Sequence, residues 1–344
     1  MYHFDSDYME GAHPAILERL TAINFDKHDG YGCDSICDSA RARIREACGA
    51  PGAEVHLLTG GTQTNATMIK ALLRPFEGAV AADTGHINIH EAGAVEATGH
   101  KVLPLPHTDG KLCAETVARY IDDFRADGNR DHMVWPGMVY ISQPTEYGTL
   151  YTLDELEALS RVCRSRSIPL YMDGARLGYA LAAPACDMTL RDIARLCDIF
   201  YIGGTKCGAL LGEAVVIPRA GLIPHLFTTI KQQGALLAKG WVLGVQFDTL
   251  FTDGLYLDIA REAIDTAARL ADGLEAAGFR TAFQPITNQI FLRLDPQSLQ
   301  TLSAVATFSP WEKLADGTQI VRLATSWATQ MEEIEAFLAE LGRK

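Results

Sequence analysis

The sequence has no CxxC pair, no basic cluster, no repeat or low-complexity tract, and no apolar run long enough to cross a bilayer. Each absence removes a class of function. The eight cysteines, at 33, 37, 48, 113, 163, 186, 197 and 207, are dispersed. Cys33 and Cys37 lie four apart, a spacing some metal sites use, but no second Cys/His pair accompanies them, so no metal site is expected. Reduced thiols packed as small hydrophobes are the simpler reading. Lys and Arg number 30 against 43 Asp and Glu, a formal charge of −13, and the basic residues are scattered, which argues against nucleic acid as a partner. The uncharged stretch from Val55 to Ile69 is interrupted by Thr59-Gly60-Gly61-Thr62 and falls short of the roughly 20 residues of a span, so no membrane partner is expected. The opening Met1-Tyr2-His3-Phe4-Asp5-Ser6-Asp7 lacks a basic segment followed by an apolar one, and a cytoplasmic location is expected.

What the chain does have is material for a large core, with 344 residues of which 48% are hydrophobic. Short apolar runs alternate with helical patterns through its first part. The runs are Val55–Leu58, Gly78–Ala82, Met138–Ile141, Ile168–Met172, Ile199–Ile202 and Glu213–Ile217. Between them lie segments such as 153–165, where Leu153, Leu156, Leu159 and Val162 recur at three-residue steps. This alternation predicts an α/β fold with a mostly parallel sheet. From about Tyr256 the pattern becomes one long amphipathic helix carrying Ile259, Ala263, Ala267, Leu270 and Leu274 on one face and ending near Gly278. Strand-like pieces at 289–293 and 319–323 and a helix from Met331 to Leu341 complete a small α+β C-terminal domain. We expect a large domain over 1–250, with an N-terminal arm at 1–20, and a small domain over 251–344.

Three constellations carry chemistry. Gly60-Gly61-Thr62, after one strand and before a helical run, offers free N–H groups suited to a phosphate or carboxylate, although a Gly-Gly turn with a Thr cap serves structure as readily. Asp173, ending an apolar strand, is followed 33 residues later by Lys206 at the end of the next, which brings both into the crevice at the sheet's carboxyl edge. His86 follows the Gly78–Ala82 run and is placed to stack on a flat ligand; alone it reads as an ordinary loop histidine. An amine, a carboxylate and a phosphate cradle in one crevice are what pyridoxal 5'-phosphate needs: the amine forms the Schiff base, the carboxylate keeps the ring nitrogen protonated, and the cradle holds the phosphate.

Taken in order, Gly60-Gly61-Thr62, Asp83-Thr84-Gly85-His86, Asp173-Gly174-Ala175-Arg176, Gly204-Thr205-Lys206 and Arg322-Leu323-Ala324-Thr325-Ser326-Trp327 resemble the threonine aldolase/β-eliminating lyase family of fold-type I pyridoxal-phosphate enzymes. Tyr31-Gly32-Cys33-Asp34 is similar to an early element of that family, and the resemblance runs over nearly the whole chain. It implies a fold-type I large domain with a seven-stranded, mostly parallel sheet. It further implies Lys206 as the Schiff-base lysine, Asp173 as partner of the ring nitrogen, His86 stacked on the ring, and Gly60, Gly61 and Thr62 at the phosphate. Arg176 and Arg322 match arginines that grip a substrate carboxylate, Ser6 a serine that assists them, and Tyr31 a substrate-side residue. Lys231 resembles a basic residue that reaches the phosphate of a neighbouring subunit, so the resemblance implies at least a dimer and usually a homotetramer.

Two departures stand out. The segment Ser142-Gln143-Pro144-Thr145-Glu146-Tyr147-Gly148 lacks a histidine that many family members carry, and so resembles the phenylserine aldolase branch; Cys207 stands where that branch commonly has Asn. The implied activity is retro-aldol cleavage of a β-hydroxy-α-amino acid of the L-threonine, L-allo-threonine or phenylserine type to glycine and an aldehyde. His86, Glu146 or an ordered water is the candidate base. Other lyase or aminotransferase chemistry on the same cofactor is the nearest rival, and a binding protein in which Lys206 and Asp173 merely pair is a remote one.

Overall fold

In a computed structural model that describes residues 1–343, each of the six apolar runs contains a strand, the fourth beginning only at Leu170, after Pro169. The central sheet comprises β1 (Glu54–Leu58), β2 (Glu77–Ala82), β3 (Lys101–Leu105), β4 (Trp135–Ser142), β5 (Leu170–Asp173), β6 (Ile199–Gly203) and β7 (Glu213–Ile217). Their order across it is β1-β7-β6-β5-β4-β2-β3, with β7 antiparallel to both neighbours and β2 to β6 parallel. The seventh strand, β3, escapes the sequence pattern because Pro104 breaks the reading. A proline without an N–H is tolerated here because β3 is an edge strand, bonded to β2 alone.

Successive side chains point to opposite faces of the sheet, and both faces are covered. Val139, Ile141, Met172, Phe200 and Ile202 enter one core, while Met138, Tyr140, Tyr171, Ile199 and Tyr201 enter the other. The helix Leu153–Ser165 begins with Thr152 and Glu155 in a reciprocal capping box. Its buried stripe is Leu156, Leu159, Ser160 and Cys163, because a strict three-residue step drifts around a 3.6-residue helix and carries Leu153 and Val162 to the edge.

The long helix runs Leu255–Ala276 and serves two cores. Tyr256, Ile259, Ala260 and Ala263 pack on the large one, and Ala267, Leu270, Ala271 and Leu274 on a smaller one. The latter is roofed by an antiparallel sheet of β8 (Arg280–Thr281), β9 (Gln289–Leu294), β10 (Ser309–Lys313) and β11 (Gln319–Ala324), in the order β10-β11-β9-β8, with the helix Met331–Leu341 against it. The N-terminal arm joins this smaller unit. Tyr2–His3 pairs with Ala306–Thr307, and Phe4 meets Phe337 edge-on with ring centroids 5.1 Å apart. Ile16 already belongs to the large core, so the segment between, which holds Asp5, Ser6 and Asp7, is strung across the junction. No helix among the described residues is long and apolar enough to cross a membrane.

The carboxyl ends of β5 and β6 approach so closely that only glycine fits there. A Cβ on Gly174 would lie 2.0 Å from the Tyr201 carbonyl oxygen, and one on Gly203 2.2 Å from that of Ala175. Both obstacles are backbone and cannot rotate away. Gly203→Ala is therefore expected to destabilise the chain by about 1–3 kcal/mol or more. A urea midpoint equal to that of the wild type would refute this.

Candidate active site

The strand ends place the site. Asp173 terminates β5, and its carboxylate is buried among four donors: Tyr140 Oη (2.5 Å) and Asn65 Nδ2 (3.0 Å) on Oδ2, Tyr201 Oη (2.5 Å) and the Ala175 N–H (3.0 Å) on Oδ1. Burial alone would raise its pKa, but the nearby His86 imidazole and the bonds from Tyr140, Tyr201 and Asn65 outweigh it and hold the group below the usual carboxylate range. Lys206 follows β6 on a loop closed by Gly204 and Thr205 N–H bonds to the Gly212 carbonyl. Loss of water and the nearby Arg176 charge press its ammonium below lysine's ordinary range, against the pull of Asp7, Asp173 and Glu213. A neutral amine is the form that attacks a carbonyl.

A cavity of about 520 Å³ opens above these groups. Lys206, His86, Glu146, Arg176 and Arg322 all line it, and a smaller void continues past Lys206 and His86 to Asp173, Gly61 and Tyr201. Gly60 is the N-cap of the helix Gly61–Leu72 and provides no side-chain cap. The first helical bond there is from Thr64 N–H to the Gly60 carbonyl, so the N–H groups of Gly61, Thr62 and Gln63 have no protein acceptor among the described residues. Free amides at a helix start, an anionic partner for a ring nitrogen and a desolvated amine fit pyridoxal phosphate. Thr62 itself is exposed on the first turn.

The two arginines differ. Arg176 directs Nε and Nη2 at both oxygens of Asp7, at 2.5 and 3.0 Å, and Asn288 Nδ2 donates to the same carboxylate at 2.9 Å. Burial would raise the Asp7 pKa, yet Arg176, Lys206 and Arg322 hold it far below the usual range. Arg322 makes only long contacts, to Gln289 Oε1 (3.2 Å), the Asp5 carbonyl (3.3 Å) and Ser309 Oγ (3.5 Å), and its buried Nε has no partner. Desolvation and the Arg176 charge press it down to about 10, still a cation at neutral pH. The Ser6 hydroxyl is likewise buried without a partner. Two guanidinium groups, one with an unpartnered Nε–H, and the unpartnered Ser6 hydroxyl suit an incoming carboxylate.

Glu146 is buried, accepts from Ser142 Oγ (2.7 Å) and the His86 N–H (2.9 Å), and is pushed up by desolvation despite those bonds. Aromatic rings form the outer wall: Trp311 lies 5.5 Å from His90, 6.3 Å from Tyr147 and 5.2 Å from Phe291, centroid to centroid. Tyr31 and Lys231 are not in this crevice. Lys231 Nζ sits 4.3 Å from the centroid of the Tyr31 ring, both are exposed, and neither lines the cavity at Lys206. Cys207 is fully buried with its thiol pushed up to about 12, chiefly by desolvation, and packs rather than reacts. The sequence reading did not single out Asp7, Asn65, Glu91 or Glu213, because a lone polar residue has no pattern until the fold gives it partners.

Glu213 opens β7, buried, and accepts from Thr205 Oγ1 (2.7 Å) and the Gly204 N–H (3.2 Å) next to Lys206. Desolvation outweighs those bonds and the Lys206 charge and pushes it up to about 8. Between pH 5 and 8 the folded chain therefore holds a proton that the unfolded chain has lost, and stability falls as pH rises through this window. Glu213→Gln is expected to flatten that slope, as read from denaturation midpoints at pH 6 and 8. Equal slopes in variant and wild type would refute the assignment.

With this geometry in view, the comparisons with known proteins are specific. Residues 3–333 match the family model described as β-eliminating lyase. The low specificity L-threonine aldolase of Pseudomonas aeruginosa is 27% identical over 98% of this chain and 96% of its own length. A solved structure of Leishmania major threonine aldolase is 45% identical, with a TM-score of 0.95, over 100% of this chain and 99% of that one. An aspartate aminotransferase from Thermus thermophilus, 17% identical over 100% of this chain and 91% of its own, shares the fold with a TM-score of 0.73. The chain belongs to the β-eliminating lyase family of pyridoxal-phosphate enzymes and stands among its threonine aldolases, as a carbon–carbon lyase.

Proposed function

We propose that the protein cleaves a β-hydroxy-α-amino acid of the L-threonine, L-allo-threonine or phenylserine type to glycine and an aldehyde. One observation carries the reading: a desolvated amine, Lys206, shares a cavity with two guanidinium groups and a buried anion, Asp173. Lys206 would hold pyridoxal phosphate until the substrate amine takes its place, and the cofactor would supply an electron-withdrawing ring able to take up the electron pair of the breaking Cα–Cβ bond.

The chain's own groups do the rest. The N–H groups after Gly60, with Gly61 and Thr62, would hold the phosphate, and His86 would cover the ring. Asp173 keeps a proton on the ring nitrogen, because an anion with four donors around it is a stable partner for a cation. Arg322, with its free Nε–H, grips the substrate carboxylate with help from Ser6, while Asp7 engages Nε and Nη2 of Arg176 and leaves its Nη1 for the same carboxylate. Held at the carboxylate by the two arginines, the substrate would be fixed in its rotation about Cα, with its side chain toward the aromatic wall. His86 or Glu146 accepts the β-hydroxyl proton as the bond breaks. The small unit, 251–344, delivers Arg322 and Trp311, and the large one, 1–250, delivers Lys206 and Asp173, so the site lies between the proposed domains.

Lys231, exposed beside Tyr31 and away from this cavity, is suited to a neighbouring copy's phosphate in a dimer or homotetramer; a monomer in sedimentation would reject that role. A cytoplasmic location agrees with the eight unpaired cysteines.

Adding pyridoxal phosphate is expected to give a visible absorption band that Lys206→Ala abolishes, with glycine released from at least one of the three substrates. Pyruvate from serine, with no glycine from any of them, would instead select β-elimination. The ring-lined cavity predicts a kcat/KM for phenylserine above that for L-threonine, and Trp311→Ala should reduce the phenylserine value by about tenfold more than the threonine value. Equal losses on both substrates would dismiss the aromatic wall as a side-chain pocket.

A further inference from the structure

Glu91 and Asn65 form a buried link between Asp173 and His86. Asn65, on the second turn of the helix Gly61–Leu72, accepts from Tyr171 Oη at 2.9 Å through Oδ1. Its Nδ2 donates at once to Asp173 Oδ2 (3.0 Å) and to Glu91 Oε1 (2.7 Å). The amide has only this orientation: reversed, its oxygen would face two buried carboxylates and its NH₂ would crowd the tyrosine hydroxyl. Glu91, whose side chain is wholly buried, then meets His86 Nδ1 at 2.7 Å through the same Oε1. At that distance one of the two atoms carries the proton, since lone pairs cannot face each other.

The position of that proton follows from the neighbours. Oε1 already receives Asn65, and Oε2 is buried without any partner. A Glu91 protonated on Oε2 would leave that hydroxyl without an acceptor, and one protonated on Oε1 would receive Asn65 only on a hydroxyl oxygen, a weaker acceptor than a carboxylate, whereas an ionised Glu91 receives both donors on Oε1 as charge-assisted bonds. The proton then sits on His86 Nδ1. The opposite ring edge carries Nε2, which has no protein partner among the described residues, on a side chain that lines the cavity beside Lys206 and Glu146. His90, 5.6 Å away by ring centroids, and Glu146, which accepts from the His86 backbone N–H, are the other titratable groups at the imidazole, and neither has a hydrogen bond to a His86 ring nitrogen.

We propose that Glu91, oriented by Asn65, is a positioning residue that keeps the His86 proton on Nδ1 and turns the Nε2 lone pair into the cavity as the acceptor for the substrate β-hydroxyl proton. The imidazole gains a proton on Nε2 as the Cα–Cβ bond breaks, and the ionised Glu91 stabilises the resulting imidazolium. Because Asn65 holds Asp173 with the other bond of the same NH₂, one amide aligns the ring-nitrogen partner and the base. The catalytic part rests on the aldol reading above; the tautomer does not.

The test is two-bond ¹H–¹⁵N spectroscopy of the full chain labelled with ¹⁵N-histidine, with and without pyridoxal phosphate, His86 being assigned by its loss in His86→Gln. The expected wild-type signal is a neutral ring protonated on Nδ1. Glu91→Gln, which retains an oxygen acceptor, should keep that signal, and Glu91→Ala should revert to the Nε2-protonated form that free imidazole prefers. In glycine release, Glu91→Ala should lose kcat by about tenfold to a hundredfold with KM little changed, and Glu91→Gln should recover part of it. A wild-type His86 protonated on Nε2 overturns the proposal by itself, even if Glu91→Ala fails to fold. So does an unchanged tautomer in a folded Glu91→Ala, or a loss confined to KM. An Nδ1-protonated His86 in a protein that releases no glycine would uphold the positioning and reject the aldol reading instead.

Discussion

The buried carboxylate of Asp173 is the constraint around which this structure is arranged. An anion without water needs donors on every side, and here they come from four parts of the chain: Tyr140 on β4, Tyr201 on β6, Asn65 on the helix after β1, and the Ala175 N–H of its own loop. That requirement explains why one face of the sheet carries Tyr140 and Tyr201, which bond Asp173, and Tyr171, which bonds the Asn65 that does so. It also explains the backbone crowding at Gly174 and Gly203, since the ends of β5 and β6 must converge for Tyr201 to reach Asp173 and for Lys206 to follow it.

Charge is distributed by the same logic. The chain is acidic overall, at −13, yet Arg176, Arg322 and Lys206 are gathered at one cavity. Asp7 prevents these cations from simply repelling one another: it neutralises Arg176 bidentately and leaves Arg322 with an unsatisfied Nε. The arm that carries Asp7 is anchored at Phe4 in the small core and at Ile16 in the large one, so a short N-terminal segment holds together the charges of both halves.

Much of the site was legible from strand ends. Asp173 and Lys206 could be placed in one crevice because each ends an apolar run, and in a parallel sheet those ends share an edge. The helix at 255–276 and the paired strands at 289–294 and 319–324 were legible for a similar reason, since their periodicity is local. The edge strand 101–105 was not, because Pro104 is compatible with a strand only where no neighbour needs its N–H. Asp7, Asn65 and Glu91 were not legible either. Asn65 and Asp173 are 108 residues apart, and Asp7 and Arg176 are 169 apart, so nothing in the local pattern links them.

The order and spacing of apolar runs thus determined the α/β class, and the charged strand ends and the Gly60-Gly61 turn pointed to the residues toward which chemistry converges, while the family rested on the resemblance carried by the ordered motifs. That information is local, and periodicity and turn chemistry act on neighbours in the chain. Only the tertiary structure decided which donors surround Asp173, that Asp7 engages Arg176, and that Glu91 and Asn65 orient His86. Those pairings depend on distances of about 3 Å between segments far apart in sequence, and such distances exist only once the sheet, the arm and the small unit have packed together.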